Sequence, residues 1–124
     1  MYCARPNEAV GFLHRALRLS PRDPMQYDTL SVLAFVYIQL GRYEEAAENA
    51  RKSVRLNPYY STTLRALAAA LAHLGRMEEA QEAAQHLLRV EPNFSISVWD
   101  ERSRWRHPAK ENMKAGLRLA GLPE

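Results

Sequence analysis

The sequence has little of what enzymes, disulfide-bonded domains and membrane proteins usually require. Its single cysteine, Cys3, has no partner for an internal disulfide, which fits a reducing compartment. No apolar run approaches the ~20 residues needed to cross a bilayer. The four histidines show no metal-ligand spacing, and neither a Gly-rich phosphate loop nor a nucleophile elbow occurs. We therefore expect a cytoplasmic protein with no catalytic activity, no cofactor, no metal and no membrane contact.

Glycine is scarce, and neither sign of charge dominates. The chain of 124 residues has five glycines, while Ala, Leu, Glu and Arg are abundant, a composition that favours helices. Seventeen Lys and Arg face fourteen Asp and Glu, a formal net charge of +3. No segment is basic enough to require a nucleic acid as partner, so binding of nucleic acid is not expected.

One six-residue motif occurs twice. Gly41–Ala46 reads GRYEEA, and Gly75–Ala80, 34 positions later, reads GRMEEA. Asn57-Pro58 returns as Glu91-Pro92 at the same interval. A period of about 34 residues is typical of stacked helical hairpins and not of an enzyme core. The repeat therefore predicts a module built from hairpins.

The repeat divides the chain into four parts. The predicted parts are a leading helix at 7–19, complete repeats at 27–60 and 61–94, and a divergent segment at 95–124. Pro21, which ends the leading helix, stands where Pro58 and Pro92 stand in the two repeats. The leading helix is thus the second half of a hairpin, and we expect the chain to be cut from a longer protein.

Apolar residues follow a helical period within each repeat. In the first repeat they are Leu30, Leu33, Ala34, Tyr37 and Leu40, and in the second Leu64, Leu67, Ala68, Leu71 and Leu74. A glycine follows each set, Gly41 or Gly75, at the position just past a helix end where a positive φ suits glycine. The pattern predicts two helical hairpins, each with a glycine at its turn.

These residues resemble the tetratricopeptide repeat, whose pattern is W-x2-L-G-x2-Y, then A-x3-F, then P. The matching positions are Leu30, Leu33, Ala34, Tyr37, Ala46 and Pro58, and then Leu64, Leu67, Ala68, Leu71, Ala80 and Pro92. The chain departs from the family at Ala50 and Ala84, where an aromatic is preferred, and at Leu87, where a small residue is usual. The resemblance covers residues 7–94 and implies an all-α, right-handed superhelix of antiparallel hairpins.

The resemblance also implies a concave groove lined by the first helix of each hairpin. A protein or peptide partner is expected there. The residues predicted to line this groove are Asp28, Ser31, Val32, Phe35, Gln39, Thr62, Arg65, Ala66, Ala69 and His73. Packing between repeats, or a plain solvent-facing surface, explains each of these positions equally well.

The family's carboxylate clamp for heat-shock chaperone tails uses Lys and Asn on one first helix and Asn on the next. The corresponding positions here are Ser31, Phe35 and Ala66. None of these side chains supplies the clamp's amide or ammonium donors. Binding of a chaperone tail is therefore not expected.

Residues 95–124, called the tail below, leave the repeat pattern. Ser95 is a candidate N-cap, His107-Pro108 predicts a break, and a last helix is predicted from about Ala109. Trp99 and Trp105 stand among several arginines, a pattern found where bases stack or phosphates bind. Buried tryptophans that anchor a cap over the open end of the array explain it with fewer assumptions.

Two further expectations concern the parent protein and self-association. The run 116–124, GLRLAGLPE, resembles the end of repeat modules appended to bacterial class III adenylate or guanylate cyclases. This resemblance implies a bacterial signalling protein whose C-terminal region acts by self-association or on a catalytic domain. Val10, Phe12 and Leu13 lie on a helix without its natural neighbour, so a homo-oligomer through this helix is the remaining alternative.

Overall fold

Seven helices and no strands make up the described part of the protein, which in this computed structural model comprises residues 5–106 and 109–124. The helices are α1 Pro6–Leu19, α2 Gln26–Gln39, α3 Tyr43–Leu56, α4 Ser61–His73, α5 Met77–Val90, α6 Ile96–Arg102 and α7 Ala109–Leu119. The predicted all-α solenoid of hairpins is confirmed. Cys3 and the predicted break at His107-Pro108 lie outside the described residues.

The helices pack in the order expected of stacked hairpins. The pairs α2–α3 and α4–α5 form the hairpins, α3 contacts α4, and α1 contacts α2. Small side chains allow the helices to approach closely, and Ala46, Ala50, Ala80 and Ala84 are all buried. Leu87, which replaces a usually small residue, is fully buried as well. One apolar core runs from α2 to the C-terminal residues.

The turn inside each hairpin depends on a glycine with left-handed backbone. Gly41 has φ +75° and Gly75 has φ +78°. After α4, the Arg76 N–H donates to the Leu71 carbonyl at 3.0 Å, and the Gly75 N–H donates to the Ala72 carbonyl at 3.0 Å. This pair of hydrogen bonds is a Schellman motif, which satisfies carbonyls that the helix end leaves free.

Gly75→Val is expected to lower the free energy of unfolding by about 1–3 kcal/mol, because a β-branched residue is strained at positive φ. Crowding does not contribute, since a Cβ at Gly75 meets no heavy atom within 4 Å. Gly75→Asn is the matched control, because Asn tolerates this conformation. Urea denaturation measures both variants, and equal stability of the valine variant would contradict the role assigned to the turn.

The outer side of α5 is not suited to the stacking of a further hairpin. Ala47 on α3 is buried, and the residue 34 positions later is the exposed Gln81. Glu78, Glu82 and Gln85 are exposed beside it. A further hairpin stacked in the same way would have to bury these polar groups, which is costly without partners. Packing of the tail against α5 in the regular manner is thereby disfavoured.

Hydrogen bonds and ion pairs connect the first part of the tail to its last part. The Ser95 hydroxyl accepts a hydrogen bond from the Val98 N–H at 3.1 Å, as predicted for an N-cap. The Ile96 N–H donates to the Pro123 carbonyl at 2.9 Å, which joins the C-terminal residues to the start of α6. Asp100 on α6 accepts from Lys110 at 2.8 Å and Lys114 at 3.0 Å on α7.

Hydrogen bonds from Lys110 and Lys114 hold the pKa of Asp100 below its usual value. The carboxylate therefore stays ionised to lower pH than in an unfolded chain, so its link between α6 and α7 is lost only as the pH falls through that lowered pKa.

No described helix is both long and apolar enough to span a bilayer.

Candidate functional site

The ten residues predicted to line the groove lie on α2 and α4, the first helices of the two hairpins. We call them together the groove face. Ser31, Phe35, Ala66 and Ala69 are buried, and the other six are partly exposed. The sequence does not show this difference, because Trp105 and Gly116, which cover Phe35 and Ala69, are distant from them in the chain.

Helix α7 lies on the groove face. It contacts α4 extensively, and it also contacts α2. Gly116 sits so close to α4 that a Cβ there would be 2.8 Å from the Ala69 carbonyl oxygen and 2.9 Å from its Cα. The His73 Nε2 is 2.5 Å from the Asn112 carbonyl, which accepts its hydrogen bond. The part of the groove face formed by Ala69 and His73 is therefore covered by the chain itself.

The segment between α6 and α7 covers a second part. The indole of Trp105 meets the Phe35 ring edge-on, with ring centroids 5.4 Å apart. Trp99 lies 6.3 Å from Trp105, and both tryptophans are buried. The Trp105 N–H of the backbone donates to the Ser103 hydroxyl at 3.0 Å, which fixes the turn that leads to it. Both tryptophans are thus buried, and Trp105 is anchored on Phe35 of the groove face; a cap over the open end of the array stays a prediction.

One end of the groove face stays open as a cavity of about 370 Å³, called the arginine pocket below. Its lining residues are Phe35, Tyr60, Thr62, Arg65, Trp99, Arg102, Ser103, Arg104 and Trp105. Phe35, Thr62 and Arg65 were predicted for the groove, whereas Tyr60 and the residues from 99 onward were not. The mixture of Trp and Arg in the tail was the available signal, but the sequence does not show that it faces α2 and α4.

A second cavity of about 220 Å³ adjoins the arginine pocket. Arg65, Trp99 and Arg102 line both. The Arg65 Nη2 donates to the two Glu91 carboxylate oxygens at 3.1 and 3.2 Å, and its guanidinium lies 5.5 Å from the centre of the Phe94 ring. Arg65 is thus held in place between the two cavities.

Tyr60 is fixed at the rim by a carboxylate and a second ring. Its hydroxyl donates to Asp28 at 2.9 Å, and Tyr27 meets it edge-on at 5.2 Å. Burial, followed by the hydrogen bond to Asp28, raises the pKa of Tyr60. The phenol therefore stays protonated, and Asp28 is already engaged as an acceptor.

Two buried polar atoms of the groove face have no hydrogen-bond partner among the described residues, the Ser31 Oγ and the Arg65 Nε. A buried polar atom without a partner is costly and calls for an explanation. Arg102 and Arg104 are exposed, and the described part of the chain supplies neither a hydrogen bond nor an ion pair to them. The arginine pocket therefore combines apolar walls with guanidinium donors that have no acceptor among the described residues.

Over residues 5–106 and 109–124, no group of three or more His, Cys, Asp or Glu side chains is placed to hold a metal ion. The polar groups that converge on the pocket are instead guanidinium donors. Such groups bind carboxylates and phosphates.

The comparison with protein families gives a match that agrees with this geometry. The tetratricopeptide repeat model matches residues 37–100, just over half of the chain. The chain belongs to the tetratricopeptide repeat family. The match runs from the end of α2 through α5 and into α6, so it includes the complete second hairpin and the start of the tail.

Three solved structures share the fold. The first tetratricopeptide domain of Spaghetti (RPAP3), bound to the HSP90 peptide SRMEEVD, is 20% identical with a TM-score of 0.64, covering 92% of this chain and 79% of its own. MamA MSR-1 is 21% identical with a TM-score of 0.65, covering 94% and 66%. MamA AMB-1 is 22% identical with a TM-score of 0.62, covering 90% and 60%.

At this level of identity the likeness shows the fold alone, and this chain spans under two thirds of the two MamA chains. No curated protein sequence matches the chain. At the three positions of the family's carboxylate clamp, Ser31, Phe35 and Ala66 are 1%, 3% and 0% exposed. These side chains are therefore hidden from a peptide in the groove.

Proposed function

We propose that this tetratricopeptide repeat chain is a non-catalytic module that binds a polypeptide segment of a partner protein. The observation that carries the proposal is the arginine pocket, the part of the groove face that the tail leaves open. Its volume of about 370 Å³ lies within the range of ligand sites. The solved tetratricopeptide domain with a bound peptide supports a polypeptide as the class of ligand.

The partner segment enters at one end of the groove face and does not run along it. Gly116 and Asn112 of α7 occupy the surface beside Ala69 and His73, so a peptide lying there would have to displace a helix that buries Met113 and Leu117 completely. Burial of each such side chain is worth about 1.5–3 kcal/mol. Binding beside Thr62 and Arg65 requires no such displacement.

Thr62→Arg is expected to weaken binding of a peptide selected from a random library on the whole chain by about tenfold or more. Thr62 is partly exposed and lines the arginine pocket, so a long side chain there fills the space that the partner needs. Fluorescence anisotropy with the labelled peptide measures the dissociation constant. Chemical-shift mapping of the same complex is expected to show changes at residues 60–65 and 99–105.

Ser97→Arg is the control, since Ser97 is exposed on α6 and lines neither cavity. It adds the same charge without filling the pocket, and binding is expected to stay within about twofold. The proposal is wrong if no peptide is enriched, or if the shift changes lie on the outer side of α5.

A narrower role is the C-terminal regulatory region of a bacterial adenylate or guanylate cyclase. Its support is the resemblance of the run 116–124, GLRLAGLPE, to the end of repeat modules appended to such cyclases. Such a region would act through self-association or through contact with a catalytic domain. The open reading frame of the native gene tests this role, since a frame without a nucleotidyl-cyclase domain excludes it.

Self-association through α1 remains a separate proposal. Phe12 is 68% exposed on this helix, whereas Val10 and Leu13 pack against the core, so the exposed face is narrower than the sequence suggested. Sedimentation velocity at several concentrations tests it, and a strictly monomeric protein would exclude it.

A further inference from the structure

The arginine pocket carries more positive charge than its own acidic groups neutralise. Arg65, Arg102 and Arg104 line it, and within residues 5–106 and 109–124 only Arg65 has a carboxylate partner, Glu91. Asp28, at the rim, already accepts the Tyr60 hydroxyl. Arg102 ends α6 and Arg104 lies in the connection between α6 and α7, and neither has an ion pair in the described residues.

The Arg65 Nε is buried and has no hydrogen-bond acceptor among the described residues. Its Nη2 is engaged with both oxygens of Glu91, so Glu91 does not satisfy Nε. A carboxylate accepts two hydrogen bonds from one guanidinium in bidentate geometry. Acidic groups on a ligand would complement the exposed Arg102 and Arg104, whereas the buried Arg65 Nε is out of a ligand's reach.

The apolar walls restrict what kind of acidic ligand fits. Phe35 and the two tryptophans form the walls, and Trp99 and Trp105 are only 9% and 4% exposed. Stacking of nucleic-acid bases needs exposed aromatic faces, which these buried rings do not offer. A peptide that places an apolar side chain in the cavity of about 370 Å³ and carboxylates beside the arginines fits both parts of the site.

Resting on the proposed function, we infer that the partner segment is acidic, with Asp or Glu side chains next to an apolar residue. The carboxylates pair with Arg102 and Arg104 at the mouth of the pocket. The apolar residue occupies the cavity itself, beside the partly exposed Tyr60 and Thr62. This ligand class differs from the carboxylate clamp, because two of the three arginines belong to the tail and not to a repeat.

Tryptophan emission reports on this site directly, because Trp99 and Trp105 are the two tryptophans of the chain and both line the pocket. The probes are synthetic peptides of equal length that alternate Glu with Leu, Gln with Leu, or Lys with Leu. The Glu–Leu peptide is expected to change the emission at the lowest concentration. Its binding is expected to weaken as salt rises, since exposed charge pairs are screened.

The double variant Arg102→Ala, Arg104→Ala is expected to bind the Glu–Leu peptide about tenfold more weakly or worse. The double variant Arg22→Ala, Arg55→Ala is the matched control, since it removes the same charge from two exposed arginines outside the pocket. Its affinity is expected to stay within about twofold. Both arginines of the test pair are exposed, so the thermal midpoint should not change.

Three results would overturn the inference while leaving the proposed function intact. They are equal binding of the Gln–Leu peptide, equal weakening in both double variants, and selection of non-acidic peptides from a random library by the whole chain. Tighter binding of a single-stranded oligonucleotide than of any peptide would overturn the choice of partner class. If no peptide changes the emission and the library enriches none, the proposed function fails as well.

Discussion

Trp105→Ala is expected to lower the free energy of unfolding by about 3–5 kcal/mol, the usual cost of deleting a buried tryptophan. The indole is 4% exposed and packs edge-on against Phe35 at 5.4 Å. It is also close to Trp99, so the deletion leaves a void where α2, α6 and the connection to α7 meet. The surrounding helices cannot close this void without losing their own contacts.

Urea denaturation followed by far-UV circular dichroism measures the effect. Tyr59→Ala is the control, because Tyr59 is an aromatic residue that is 77% exposed, and its loss is expected to stay within about 0.5 kcal/mol. A loss below about 1 kcal/mol in Trp105→Ala would contradict the packing described for the tail.

Gly116→Ala and Gly11→Ala are expected to change stability in opposite directions. Both glycines lie inside helices, where alanine is intrinsically better by about 0.5–1 kcal/mol. A Cβ at Gly11 meets nothing within 4 Å, so Gly11→Ala is expected to stabilise by that amount. A Cβ at Gly116 would press on the backbone of Ala69 at 2.8–2.9 Å, and backbone cannot move aside as a side chain does.

For Gly116→Ala we expect a net loss of about 1–3 kcal/mol, since overpacking outweighs the gain in helix propensity. The same unfolding experiment measures both variants. Amide hydrogen exchange of α7 is expected to rise in Gly116→Ala and to stay unchanged in Gly11→Ala. Stabilisation of both variants to the same extent would show that α7 does not lie against α4.

The repeated motif predicted most of the fold from local physical rules. The apolar period of α2 and α4 required a helix with one buried face, and Gly41 and Gly75 required a left-handed turn after it. Each rule depends on residues close together in the chain. Local rules of this kind can be read without knowing the tertiary structure.

The groove was harder to predict because its occupant is distant in sequence. Phe35 and Trp105 are 70 positions apart, and Ala69 and Gly116 are 47 apart, so no periodicity links them. The sequence placed Trp99 and Trp105 in a cap and the groove face on α2 and α4. It did not show that the tail packs on the groove face.

The sequence by itself determined that this chain is a stack of helical hairpins, because spacing of apolar residues and glycines acts over one or two turns. Only the tertiary structure decided which part of the groove face the tail covers and which part it leaves open. The outer side of α5 is polar, while α4 offers small residues that admit a glycine of α7 at contact distance. The tail therefore buries its apolar face on α4, because packing there removes more apolar surface from water than packing on α5 would.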